Sequence, residues 1–103
     1  MATKAKFLLP LRNSDGTPFT GYGGHVYIVP YGQTVNGDMP LLEDTTIQGL
    51  YYREDVDGGF YDIYIDTDKS GSPVAGDLWL SKYYHPIPDS FVSNDMLESF
   101  EDF

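Results

Sequence analysis

Few side chains in this sequence are equipped for acid–base chemistry near neutral pH. His25 and His85 are its two histidines. His25 opens a strand-like run and His85 precedes a Pro-rich stretch. No Ser or Asp stands at a spacing that marks a triad around either of them. The carboxylate pair Asp55/Asp57 has the residue types of a glycosidase pair, but a turn in so acidic a chain explains it as solvated charge. A 103-residue chain also has little wall from which to build a water-excluding cleft. The reading is therefore a non-enzyme, with no catalytic residue and no cofactor. The one metal-like pattern is Asp66-Thr67-Asp68-Lys69-Ser70-Gly71, which has the alternating oxygens and the bend-permitting Gly of a calcium loop. Asp77 falls where the bidentate Glu would stand. Pro73 inside the loop and Asp in place of Glu depart from that pattern, so Asp66, Asp68, Ser70 and Asp77 are the calcium candidate of a chain expected to hold no metal.

Aromatic residues carry the stronger signal. They make up 16% of the chain, including nine Tyr. Strand side chains alternate between faces. In 25–31, Val26 and Ile28 suit a core. So do Tyr61, Ile63 and Ile65 in 60–66, and Leu78 and Leu80 in 77–83. That assignment leaves Tyr27, Tyr31, Tyr64, Trp79 and Tyr83 facing outward. Monomers seldom expose so much apolar surface in one place. These rings are expected to meet another chain, to stack on sugar rings, or to pack under loops and the C-terminal segment.

The elements that position these residues are legible from turn chemistry. Asp15-Gly16-Thr17-Pro18-Phe19-Thr20-Gly21 leads into His25–Tyr31, and Ser70-Gly71-Ser72-Pro73-Val74-Ala75-Gly76 leads into a strand over 77–84. Gly, Pro, Asp and Ser make the turns, and the β-branched and aromatic runs make the strands. Further strands are expected at 7–11, with Pro10 marking an edge or an end, at 46–54 and at 60–66. The last two are expected to form a hairpin across Asp55–Gly59. Residues 32–45 read as a polar connection turning at Asn36-Gly37. The expected fold is an all-β, antiparallel two-sheet sandwich of residues 1–84, Ig-like or prealbumin-like. About 65% of the unfolded surface can be buried in a domain of this size.

Residues 85–103 read as an acidic C-terminal arm. His85-Pro86-Ile87-Pro88 is stiff and extended. Ser93 is a candidate cap, and Met96, Phe100 and Phe103 then fall on one face of a short helix. Five acids and no Lys or Arg occupy this stretch. The stripe is expected to seat in a groove of its own domain or of a neighbour, and the chain is expected to fold when cut before His85.

Composition narrows the partners. Sixteen acidic and six basic residues give a net charge of −10, a field that repels phosphate backbones and anionic lipid. No nucleic acid and no membrane is expected as a partner, and no stretch reads as a signal peptide or a membrane span. There is no Cys, which excludes disulfides and thiolate metal sites.

Asp15-Gly16-x-Pro18-x-x-Gly21 followed by Val26-x-Ile28 resembles the opening of transthyretin-like and carboxypeptidase-regulatory-like sandwich domains. Thr45-Thr46, Asp55-Val56-Asp57-Gly58-Gly59-Phe60 and Tyr61–Ile65 continue in the same order, so the resemblance spans about residues 7–66. The enzymatic branch of that group ends in a Tyr-Arg-Gly-Ser-type tail. This chain ends Phe100-Glu101-Asp102-Phe103, so the resemblance implies a fold and no activity. Small, acidic, Cys-free sandwiches with terminal arms are also similar in style to bacteriophage neck, tail or head-decoration proteins. The expected role is a structural or adaptor module among protein subunits, as a homo-oligomer or hetero-complex, in a virion or in the cytoplasm. Tyr27, Tyr31, Tyr64, Trp79, Tyr83, Met96, Phe100 and Phe103 are its candidate contacts. The alternative is a carbohydrate-binding module that uses the Tyr/Trp face to hold glycan.

Overall fold

The computed structural model describes residues 3–87. The described chain is almost entirely β, with one short 3-10 turn at Ala75–Asp77. Its strands are β1 (Lys4–Pro10), β2 (Val26–Pro30), β3 (Pro40–Glu43), β4 (Leu50–Asp57), β5 (Gly59–Ile65) and β6 (Leu78–His85). They form a curled antiparallel sheet in the order β1-β4-β3-β2-β5-β6. No helix among the described residues is long and apolar enough to cross a membrane.

β3 makes the curl. Pro40 and Leu41 pair with β2, while Leu42 and Glu43 pair with β4. Sequence pattern does not single it out, because four residues opening on Pro give too short an alternation to see. The expected hairpin across Asp55–Gly59 does not form: β4 pairs with β1 and β3, and β5 with β2 and β6. Instead the chain passes from one half of the sheet to the other at Gly58-Gly59. Gly59 has φ +144°, and a Cβ on Gly58 would lie 2.5 Å from Ile87 Cγ1. The strand expected from Thr46 begins later, at Leu50. Asp44 Oδ1 accepts the Thr46 and Ile47 N–H groups at 2.7 and 2.8 Å and wraps those residues into a turn.

The curl closes around one apolar cluster that includes Phe7, Leu9, Leu11, Leu41, Tyr51 and Val56 with the expected Val26, Ile28, Tyr61, Ile63 and Ile65. Phe7 of β1 meets Tyr61, Tyr83 and His85 at ring-centroid distances of 5.8, 5.4 and 5.1 Å. β1 and β6 are thus the edges of the sheet in sequence of pairing, yet their side chains meet across the interior. Tyr83 Oη donates to the Leu8 carbonyl at 3.1 Å. His85 Nε2 lies 3.0 Å from the Val56 carbonyl and 3.2 Å from the Ala5 carbonyl. Two carbonyl neighbours require a proton on that nitrogen. Tyr51, fully buried, donates to Phe19 O at 2.8 Å and accepts from Tyr22 N–H, which ties the long β1–β2 loop onto β4. Desolvation raises the Tyr51 phenol to about 12.

Several expected positions change. Leu78 and Leu80 are half-exposed, not core. Tyr83, expected outward, is half-buried against the core cluster. The cause is a pair of register slips in β6. Tyr61 faces Tyr83 and Ile63 faces Leu80, so β6 carries one extra residue. A second slip places Leu78 opposite Tyr64. Each slip reverses the alternation beyond it. Leu80 shares a face with Ile63 but lies on the outermost strand and stays 40% exposed. The first slip is pinned by buried Asp62, whose Oδ1 accepts Ser81 Oγ–H at 2.7 Å and Lys82 N–H at 3.1 Å, with Lys82 at φ +62°.

The expected boundary between residues 84 and 85 falls inside β6, and His85 and Ile87 are both buried. The expectation that a chain cut before His85 keeps its whole core is therefore corrected. The arm residues Met96, Phe100 and Phe103 lie outside the described residues.

Candidate functional site

Strand pairing lines up apolar residues on the outside of the curl. Leu8 faces Tyr52, and Tyr52 faces Leu42. On the other side Phe60 faces Tyr84 with ring centroids 5.0 Å apart, and Tyr31 N–H donates to Phe60 O. The two rows meet at the seam between β1 and β6, where Leu8, Tyr84 and Pro86 line one cleft of about 230 Å³. Leu42, Leu8, Tyr84, Phe60 and Tyr31 are 45–55% exposed. Scattered single apolar residues on a surface are ordinary, whereas aligned ones make a candidate contact surface.

Cations sit along this belt. Lys6 Nζ lies 4.7 Å from the Tyr52 ring centre and 3.7 Å from Glu54. Lys82 Nζ lies 5.6 Å from the ring centres of both Tyr31 and Phe60, within range of cation–π attraction. The Asp62-pinned bulge is what aims Lys82 at these rings, so a buried carboxylate shapes the outer surface. Of the sequence-derived contacts, the belt takes in Tyr31. Phe60, Tyr84, Tyr52, Leu8 and Leu42 had no distinguishing sequence signal, because each sits in a strand whose opposite face is also apolar.

Two other candidates are corrected. Tyr27 and Tyr64 face each other across β2 and β5 and are buried, at 4% and 7% exposure, with Val29 and half-buried Val35. They do point away from the main cluster, but the 34–38 and 70–74 loops cover them: Gly37 packs near both Tyr27 and Pro73. Loop contacts across 40 residues cannot be read from alternation. Desolvation raises the Tyr27 phenol.

Trp79 is exposed as expected and stands at the other end of β6. It lines a groove of about 400 Å³ with Phe19, Leu78, Leu11, Arg12 and Asp77 among its walls. Apolar walls with a few polar groups at this volume suit a small ligand.

The calcium candidate is partly assembled. Asp66 is fully buried. Its carboxylate accepts Gly71 N–H at 2.8 Å and the Ser70 hydroxyl at 3.2 Å, and Asp68 Oδ1 accepts Ser70 N–H. Asp77 is occupied separately, accepting Val74 N–H at 3.0 Å. Among the described residues no group of three or more His, Cys, Asp or Glu is placed to hold a metal ion. The loop's oxygens instead satisfy its own backbone donors, as an Asx-type turn does. His25 Nδ1 lies buried 3.8 Å from Asp66 Oδ2, with no hydrogen-bond partner among the described residues.

The neighbouring Asp68 side chain is the largest influence holding Asp66 below the ordinary carboxylate range. The Gly71 and Ser70 donors add to it, and desolvation opposes them. A depressed carboxylate adds stability that is present above the unfolded value and lost as pH falls through the folded one. Thermal midpoints should therefore fall in acid below the ordinary carboxylate range, and Asp66→Asn should flatten that fall while lowering the midpoint at neutral pH. An unchanged acid limb in Asp66→Asn would show that Asp66 is not the group responsible.

No family model, no curated protein and no solved structure matches this chain.

Proposed function

We propose that the protein is a non-enzymatic structural or adaptor module that works within a multi-subunit protein assembly. The observation that carries this reading is the apolar belt from Leu42 to Tyr31, crossed by Lys6 and Lys82. A monomer gains nothing by exposing it, while an interface gains from its aromatic anchors and their flanking cations. The reading includes a virion component, on the same ground of small size, acidity and lack of Cys that the sequence supplies. It also includes a two-sheet, transthyretin-like description of the fold. Phe7 packing across the interior onto Tyr61 and Tyr83, and the corner at Gly58-Gly59 in place of a hairpin, support that description.

A second reading is favoured by the groove beside Trp79. Its exposed indole, with Arg12 and Asp77 nearby, suits the C–H face and hydroxyls of a sugar ring in a carbohydrate-binding module.

Sedimentation of the full chain over a range of concentrations separates the two. The first reading expects mass above the monomer, and a Leu42→Ser/Tyr84→Ser variant with an unchanged thermal midpoint should sediment as a monomer. A wild-type chain that stays monomeric, and binds a glycan array in a manner lost in Trp79→Ala, would replace the first reading with the second.

A further inference from the structure

We infer that the belt is the seat of residues 88–103 from a second copy of this chain. The inference rests on the assembly reading above and names the occupant of its surface. The lysines beside the belt and the acids of the segment carry opposite charges. All six cations of the protein lie within residues 4–82, and the sixteen residues from Pro88 to Phe103 hold five acids and no Lys or Arg. The acids Asp89, Asp95, Glu98, Glu101 and Asp102 alternate with Phe91, Met96, Leu97, Phe100 and Phe103. An acidic, aromatic segment is the complement of a belt of exposed rings flanked by Lys6 and Lys82. Ring-on-ring contact supplies affinity, and the opposed charges fix orientation and speed encounter.

The segment also begins beside the belt. Pro86 lines the seam cleft together with Leu8 and Tyr84, so the segment departs from the belt itself. Ile87 is buried and packs against Gly58, which anchors the point of departure. His85 and Ile87 each precede a proline, and that holds both out of the helical region and the backbone extended. The described chain therefore leaves the seam extended at 85–87, a start that favours reach to a neighbour over an immediate turn back beside Tyr84. Sixteen residues span up to about 50 Å when extended, ample to reach a neighbour. Exchanged reciprocally, the segment makes a two-fold dimer, and unreciprocated it makes a head-to-tail contact. Repeated, such a contact gives a ring if the rotation closes and a filament if it does not.

Sedimentation equilibrium on full-length variants tests this. Phe100→Ser and Tyr84→Ser should each weaken self-association about tenfold or more. The double variant should be little worse than either, because both remove one contact. Lys6→Glu with Lys82→Glu should weaken association, and adding Glu98→Lys and Glu101→Lys should restore it. Thermal midpoints compared at dilutions where the wild-type chain is itself dissociated should match the wild-type value, which separates lost docking from lost folding. If Tyr84→Ser dissociates the assembly and Phe100→Ser does not, the belt takes another occupant. This inference then fails while the assembly reading stands. If the wild-type chain is monomeric at every concentration and Phe100→Ser increases binding of an apolar dye, the segment seats on its own copy. That result overturns the exchange. A monomeric chain with neither effect removes both readings.

Discussion

Phe7→Ala is expected to lower the unfolding free energy by about 3–5 kcal/mol in denaturant titration, the usual cost of emptying a buried Phe site. Phe7 is fully buried, and its ring touches Tyr61, Tyr83 and His85. β1 has no backbone ladder to β5 or β6, so this ring is a principal tie between the two sides of the curl. Neighbouring Leu8 points the opposite way and is half-exposed. Leu8→Ala should therefore change stability by no more than about 0.5 kcal/mol. Equal costs at the two positions would mean that β1 does not present alternate faces to core and solvent. A Phe7→Ala cost under about 1 kcal/mol would mean that the curl does not close on itself.

The second large effect concerns the end of β6. A chain ending at Tyr84 should be less stable than one ending at Ile87 by about 3–6 kcal/mol, from the lost burial of Ile87 and the lost hydrogen bonds of His85. Ile87 fills the space above Gly58, and His85 Nε2 satisfies the Val56 and Ala5 carbonyls. Against a total stability of roughly 5–15 kcal/mol for a small domain, that loss leaves a marginal fold. The two truncations differ by three residues, so any contribution of the chain beyond Ile87 cancels. Matching denaturant midpoints would return the domain boundary to residue 84 and make His85 and Ile87 dispensable.

The two effects also bear on the belt. Tyr84 and Pro86, which line the seam cleft, stand on either side of His85. The His85 and Ile87 contacts that complete the fold thus hold the seam of the belt in place. Asp62 acts similarly from inside the sheet, since its two hydrogen bonds hold the bulge that presents Lys82 to Tyr31 and Phe60.

Local chemistry alone determined the all-β, antiparallel character of the chain. Turn residues and period-two runs are short-range properties, so 25–31, 60–66 and 77–84 read as strands near where β2, β5 and β6 lie. The inward set Val26, Ile28, Tyr61, Ile63 and Ile65 followed from the same alternation. Tertiary structure decided the rest. β3 takes strand form because β2 and β4 each supply one half of its partners, a pairing that a four-residue run beginning with Pro does not announce. Asp62 is an unremarkable polar residue in sequence, yet the bulge it pins reverses alternation in β6, drawing Tyr83 inward. The second slip beyond it sets Leu78 on the outer face. Tyr27 and Tyr64 lost their solvent to loops far away in the chain. The belt exists because curling brings the outer faces of β1 and β6 to one seam. Each of these outcomes depends on contacts between distant residues. Alternation records only which side of a strand a residue occupies, and leaves open what lies on that side.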